Sequence, residues 1–422
     1  MKIKRIQKSN NNPLHSFHIE SEQNILKNLI PINTLKENNN KKIIYSYNIL
    51  DGFKYKIIIK RKTDNINNIY KIVVSLDHPN IIKLIQYAES DYYFISVSEF
   101  FSDISLYDTV SFSAIYDEDK IRKIIYQIIL IVNYLHSNNF LHKKLTPHSF
   151  LIKKINNDLV IKLDDIHNIV TMPSKLTSKY KSQNIYRIGS IMYFLVCGEF
   201  PLYYYKKNEK KICISKKLWK NFSYKGRDFI KKILLGNMSS IISLREALDH
   251  EWFKENIRQN TYINFEMLRS IYNFWKKNTF KRYILNNLAK LIINEDIYIC
   301  QSLFFYLDIL QQGSIKYEQY FIIMKKLGLL DGDIKMSFNG LDISRSGKIQ
   351  FSNIIASLMN SYIKINKTIA FQFFKKVDYN NEGIITKKKL YKFYNLKTKN
   401  EINSYAKKKF TFEEFYNYIR KE

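Results

Sequence analysis

The chain has few residues that could cross-link it and no apolar run long enough to span a bilayer. Its three cysteines, Cys197, Cys213 and Cys300, stand far apart, with no CxxC and no Cys/His pair at metal spacing. That excludes a disulfide framework or a zinc scaffold and fits a reducing compartment. The opening MKIKRIQKSNNNPLH has no apolar signal core and carries Lys2 where N-myristoylation needs glycine, so a cytoplasmic chain without a myristoyl site is expected. Acidic residues are scarce, 38 against 68 Lys and Arg, for a formal net charge of +30. A nucleic acid or an acidic membrane would attract such a charge. The lysines, however, run through both halves together with Asn, Ile and Tyr, all residues of A/T-rich codons. Codon bias is the reading taken, and with no nucleic-acid motif in the chain a nucleic-acid partner is not expected. What is abundant is apolar: hydrophobic residues make up 45% of 422, enough to bury sizeable cores in two or three domains.

One stretch organises the rest. Residues 134–151 read YLHSNNFLHKKLTPHSFL. They follow an amphipathic helix pattern, DEDKIRKIIYQIILIVNYLH (117–136), with Asp117 as its cap, and precede a strand pair ending in IKLDD (161–165). Upstream, two β-rich runs, KIIYSYNI (42–49) and KYKIIIK (54–60), flank the turn pair Asp51-Gly52. HPNIIKL (78–84) and YYFISVSEFF (92–101) come next; GEFPLY (198–203), RDFIKKILLG (227–236) and LREALDHEWF (244–253) lie beyond. In this order the segments resemble a eukaryotic protein kinase, whose catalytic loop reads H-R-D-L-x-x-x-N and whose metal-binding strand ends in D-F-G. The resemblance implies a bilobal fold that binds Mg-ATP. Lys60 then stands for the lysine that holds the α/β-phosphates, and Asp165 for an Mg²⁺ ligand.

The frame is kept while much of its chemistry is not. The loop before the first β-run, Asn33 to Lys41, holds no glycine, so it lacks the residues that let backbone N–H groups approach phosphates. Residues 65–76 hold no acidic residue to pair with the lysine; the expected position falls near Ile69. The catalytic loop reads His142-Lys143-Lys144-Leu145, so Lys144 replaces the catalytic aspartate, and Ser149 replaces the metal-binding asparagine. An ammonium cannot accept the substrate proton at neutral pH. His167 stands where D-F-G has glycine. No A-P-E triplet lies between Asp165 and Asn184, and Asn184 replaces the buried aspartate of the following helix.

The C-terminal part reads differently. Residues 255–295 form a basic amphipathic junction, with Met267, Leu268, Ile271, Phe274 and Trp275 as its apolar stripe. Such a helix resembles a calmodulin target and is expected to dock within its own chain, on the kinase-like or the C-terminal domain. Four EF-hand loops can then be framed. The first starts at Asp308, with Gly313 and Ile315; the second at Asp342, with Gly347 and Ile349; the third at Asp378, with Gly383 and Ile385; the fourth retains Phe410 and Glu414. The turn glycine at position 6 and the apolar residue at position 8 recur in register in the first three. Position 12, which should supply a bidentate glutamate, is Gln319, Asn353 and Lys389 in those loops. The candidate metal ligands are Asp342, Ser344 and Ser346 in the second loop and Asp378, Asn380 and Glu382 in the third. Three lysines, 387–389, oppose Ca²⁺ in the third.

Kinase lobes, a junction and four EF-hands in series resemble the calcium-dependent protein kinase family. The expected fold is α+β: a polar tail (1–40), a kinase-like domain (41–254, lobes dividing at 100), the junction (255–295) and an all-α calmodulin-like domain (296–422). In that family Ca²⁺ on the EF-hands releases Ser/Thr phosphorylation. Here the function expected is a pseudokinase, a scaffold or allosteric regulator in calcium and phosphorylation signalling that acts through protein partners. A weak atypical Ser/Thr kinase and a non-catalytic Mg-ATP or Ca²⁺ sensor stay open.

Overall fold

A computed structural model describes residues 19–20, 26–38, 41–62, 66–90, 92–112, 116–174, 177–206, 209–213, 222–235, 242–254, 264–293, 296–394 and 409–421. The first layer is a six-stranded sheet. Its strands are β1 (Ile19–Glu20), β2 (Leu29–Asn38), β3 (Lys41–Asn48), β4 (Lys54–Arg61), β5 (Leu84–Glu89) and β6 (Tyr93–Glu99), in the order β1-β5-β6-β4-β3-β2. The sheet is antiparallel except where β1 runs parallel to β5. Two of these strands lie inside the stretch 1–40 expected to be a tail. The ladder to β3 overrides the polar, Asn-rich composition of the stretch 1–40, because all of 29–38 except Ile32 and Leu35, which fall at register shifts, pair onto a strand already held by β4.

Side chains alternate across β4. Lys56, Ile58 and Lys60 share one face; Tyr55, Ile57 and Ile59 share the other. Tyr55 through Ile58 are all buried, so both faces are covered. The inner face meets helix α1 (Ile66–Ser75) and the second lobe. There α2 (Leu106–Phe112) is followed by the long α3 (Glu118–Ser137), which Asp117 caps by accepting the Lys120 N–H at 2.8 Å. Ile124, Ile125, Ile128, Ile129, Ile131, Val132 and Leu135 of α3 are fully buried and, with α4 (Thr177–Cys197), make the core of this lobe.

The outer face of the sheet is covered by the C-terminal part. Tyr55, Ile57, Ile85, Ala88, Ile95 and Val97 belong to one continuous core with the junction and the helices beyond it. The junction, expected as one helix, is two, Phe265–Asn273 and Thr279–Ala289. A 3₁₀ turn, Phe274–Lys276, and an extended Lys277 separate them, and Asn278 caps the second by accepting the Lys281 N–H at 2.8 Å. Residues 255–263 and 294–295 of the expected junction lie outside the described residues. Phe274, Phe280, Ile284 and Leu288 are buried in the same core as the C-terminal helices. Lys83 Nζ closes the end of the second junction helix by donating to the carbonyls of Ala289 (3.1 Å) and Ile292 (2.9 Å).

Three complete helix–loop–helix units follow, with helices Ile297–Leu307 and Tyr317–Lys326, Asp331–Leu341 and Phe351–Leu358, and Lys367–Val377 and Lys387–Tyr394. The first two loops pair through Ile315 and Ile349. The third pairs through Ile385 with Phe410, which leads into the helix Phe412–Arg420. The first half of the fourth loop lies outside the described residues. The first loop docks on α3. Gln311 Nε2 donates to Tyr126 Oη at 2.7 Å, and the Gln311 carbonyl accepts Asn133 Nδ2 at 2.7 Å. Gly313, at φ +70°, lies so close that a Cβ there would stand 2.4 Å from the Tyr134 ring. Ser352 Oγ binds Asp77 at 2.5 Å, and Gln372 Nε2 binds Asp51 at 2.6 Å. Among the described residues no helix is long and apolar enough to cross a membrane.

Burial holds several histidines neutral. It pushes His78 and His167 down to about 3 and His136 down to about 4. In the unfolded chain they titrate near about 6.5. As pH falls through that value the unfolded state takes up protons that the folded state refuses, so stability is lost on acidification. Asp308 works in the opposite direction, its carboxyl raised to about 6 by burial. Burial lowers His142 and His250 as well, so the histidine losses outnumber the one gain at Asp308, and stability is predicted to fall as pH drops from about 6 to 4.5. Thermal midpoints at stepped pH measure this, and His167→Gln should make the dependence shallower.

Candidate functional site

The cleft between the lobes is where a kinase would hold nucleotide. Its central contact is an ion pair between Lys56 Nζ on β4 and the Asp164 carboxylate just after the strand Asp158–Leu163. The two side chains are 10% and 15% exposed. Lys60, the lysine expected in this role, lies two strand repeats further along the same face. It sits opposite Lys41 on β3 and Phe94 on β6, toward the far end of the strand from the Lys56–Ser98 pairing. The lysine–aspartate contact in the cleft is therefore made by Lys56 and Asp164, not by the two residues expected to serve there, Lys60 for phosphate and Asp165 for Mg²⁺. Desolvation holds the Lys41 ammonium below its usual value, and Asp165 and Asp164 oppose that shift.

Helix α1 brings no carboxylate to the pair. In its place Tyr70 stacks on Phe94 (ring centroids 4.7 Å apart) and Tyr87 (5.4 Å). His167, at the position of the D-F-G glycine, packs edge-on against Tyr70 and lies 3.4 Å from Ser96 Oγ. Asp165 is turned toward its own loop. Its carboxylate accepts Asn168 Nδ2 at 2.6 Å, and its carbonyl is 3.0 Å from His142 Nε2.

The catalytic-loop segment is well tied down. Asn184 of α4 receives the His142 N–H at Oδ1 (3.3 Å) and donates Nδ2 to the His142 carbonyl (2.9 Å). Arg187 donates to the Lys143 carbonyl. Lys144 is exposed. Ser149 is buried, its hydroxyl accepting the Thr146 N–H (3.1 Å) and donating to the Lys144 carbonyl (3.3 Å). That hydroxyl is committed to shaping the loop, so it is not turned outward as a metal ligand. Downstream, the strand Ile169–Thr171 pairs with Phe140–His142, and α4 begins at Thr177; only 172–176 lie between.

In the C-terminal loops the position-1 carboxylates are satisfied from within. Each accepts the N–H of the position-6 glycine: Asp308 from Gly313 (2.6 Å), Asp342 from Gly347 (2.6 Å) and Asp378 from Gly383 (2.7 Å). In the second loop Ser344 and Ser346 donate their hydroxyls to Asp342 Oδ1 at 3.1 and 3.2 Å, while Asn353 turns its amide to Asn286 of the junction (2.8 Å). The serines act as donors, the reverse of what Ca²⁺ would ask of them. In the third loop Asp378 and Glu382 both contact Lys389 Nζ, and Asn380 donates to Glu382. Among the described residues no group of three or more His, Cys, Asp or Glu side chains is gathered as for a metal.

Residues 53–167 match the model of the protein kinase domain. Calcium-dependent protein kinase 5 of Plasmodium falciparum is 27% identical over 371 residues, covering 80% of this chain and 65% of its own length. Calcium-dependent protein kinase 3 of Plasmodium berghei is 24% identical over 364 residues, with 78% and 66% covered. Calcium-dependent protein kinase 21 of Arabidopsis thaliana is 24% identical over 367 residues, with 80% and 69% covered. The chain is thus similar to calcium-dependent protein kinases over about four fifths of its length, and carries a match to the protein kinase domain. It spans about two thirds of the length of these relatives.

Within the kinase fold the residue that sequence reasoning passed over is Lys56. IIIK resembles the V-A-I-K pattern and points to Lys60, but period-2 alternation puts both lysines on one face and cannot choose between them. The choice is made by depth: Lys56 is the one placed beside the aspartates. Lys56→Met should leave Asp164 without its cation and cost about 3 kcal/mol, against about 0.5 kcal/mol for Lys60→Met. Urea unfolding of the two variants checks this, and Lys56→Met/Asp164→Leu should recover most of the loss.

Proposed function

We propose that this chain is a pseudokinase of that family, a kinase-shaped scaffold or allosteric partner for other signalling proteins. The observation that carries the proposal is Lys144, exposed in the well-ordered catalytic loop at the position of the general base. A base must accept the substrate hydroxyl proton. An ammonium cannot do so, and the two nearby aspartates are engaged by Lys56 and Asn168. The short link 172–176 also leaves no length for a loop on which a protein substrate could dock.

Family membership implies Mg-ATP, and the donors fit the metal poorly. Mg²⁺ needs near-octahedral oxygen geometry with carboxylate and amide oxygens free to face it. Ser149 faces inward, Asp165 is hydrogen-bonded to Asn168, and Asp164 is ion-paired. No transfer step is derived through it. A second reading, nucleotide binding without transfer, is favoured by one feature. Lys41 and Lys60 are direct cross-strand partners with Lys56 on the same face, and like charges opposed in this way favour an anion between them.

The test is phosphoryl transfer from labelled ATP by the full chain, run beside melting curves with ATP alone and with Mg-ATP. Transfer no greater than that of Lys56→Met is expected. Transfer that Lys56→Met abolishes would overturn the pseudokinase reading. Saturating ATP at a hundred times its Kd would raise stability by about 2.7 kcal/mol if the lysines hold phosphate.

A further inference from the structure

The third C-terminal loop already contains a cation. Lys389 stands at position 12 of that loop, where an EF-hand carries the glutamate that closes on Ca²⁺. Its side chain runs back into the loop and is almost fully buried. The ammonium lies 2.5 Å from Asp378 Oδ1, 2.9 Å from Glu382 Oε2 and 2.8 Å from the carbonyl oxygen of Ile384. These are positions 1, 5 and 7 of the loop. They are the carboxylates and the backbone carbonyl that an EF-hand offers to its ion.

We infer that Lys389 is a built-in substitute for calcium: its ammonium sits in the ion site of the third loop and holds that loop in its closed, ion-loaded shape. The inference concerns the C-terminal module and stands whether or not the cleft transfers phosphate.

The charge balance supports it. Two carboxylates facing one ammonium leave a single negative charge, the same as three carboxylates around a divalent ion. The exchange of glutamate for lysine thus removes one negative ligand and supplies the missing cation together. Around the lysine the loop keeps the turn and the pairing of the other two. Gly383 keeps its left-handed φ of +75°, its N–H donates to Asp378 Oδ2, and Ile385 pairs with Phe410 of the fourth loop. Desolvation of Lys389 is opposed by its hydrogen bonds to Asp378 and Glu382, and the net effect raises its ammonium above the usual lysine value. The ion pair is buried, so removal of the lysine would strand Asp378 in the interior.

The other two loops reach a similar end by other means. Gln319 donates its amide to Asp308 at 3.3 Å, and two serines donate to Asp342. Only in the third do two carboxylates and a loop carbonyl converge on a charged group. A tethered cation cannot be diluted or chelated away. The unit it closes also contacts the turn between β3 and β4, through Gln372 on Asp51.

The experiment uses the full chain and three forms of it: wild type, Lys389→Glu and Lys389→Met. Each is melted in EGTA and in millimolar Ca²⁺, and Ca²⁺ binding is followed by calorimetry. Wild type is expected to melt at the same temperature in both buffers. Lys389→Glu is expected to lose several degrees in EGTA and to recover them with Ca²⁺, binding the ion through its restored position 12. Lys389→Met should be destabilised in both. In parallel, wild type in EGTA is labelled with an amine-reactive reagent and digested for mass spectrometry. Lys389 should react at least tenfold more slowly than the exposed Lys388. Equal labelling of the two lysines would overturn the inference without recourse to any variant. So would a Ca²⁺-induced shift of wild type that Asp378→Ala removes, or a Lys389→Glu protein that folds but gains no response to Ca²⁺.

Discussion

The outer face of the six-stranded sheet is closed by the C-terminal module, and most of the molecule follows from that burial. A sheet with one solvated face would carry polar residues at alternate positions. β4 instead buries Tyr55, Ile57 and Ile58 together, so its outward residues need a partner surface. The junction helices and the units beyond them supply it, in one core that runs from Tyr55 to Ile419. Polar contacts then fix the register of this packing: Lys83 on the end of a junction helix, Asp77 on Ser352, Asp51 on Gln372, and the first loop on α3. The nucleotide cleft on the opposite face is thereby held by strands whose backs are anchored.

Lysine is used throughout as a replacement part. Lys144 stands exposed in the loop after His142, Lys56 pairs with Asp164 in the absence of a helix glutamate, and Lys389 pairs with Asp378 and Glu382. At Lys144 and Lys389 an ammonium carried on the chain stands where the resemblance expects a carboxylate. Such exchanges fix charge balance at the time of folding, so that it no longer depends on a diffusible ligand. In both the cleft and the third loop a largely buried carboxylate is thus paired with a lysine of the same chain.

Much of this architecture was legible in the sequence. The serial order of kinase segments survives because apolar spacing survives, as in α3, where the cap Asp117 and the buried isoleucines fall where periodicity puts them. The loop glycines are legible because only a residue free to adopt positive φ suits Gly313, Gly347 and Gly383. Three things were not. β2 lies in a polar, Asn-rich stretch and carries Pro31, and it is a strand because β3 offers a ladder, which is a tertiary fact. Lys56 and Lys60 are equivalent under strand alternation and differ only in depth. The lysines at 387–389 read as charges that oppose a metal. Composition cannot say that one of the three, Lys389, folds back onto Asp378 and Glu382.

The shared core also sets a schedule for synthesis. The sheet residues that need cover end at Val97, and the last residue of the core that covers them is Ile419. At ribosomal rates of roughly 5–20 residues per second, that separation leaves the sheet's apolar face without its final cover for roughly 15–60 s. Collapse of a chain takes microseconds, so the nascent N-terminal lobe would be compact and adhesive for almost all of that interval. The sheet's outer face is therefore finished only when the last helix of the chain has been made.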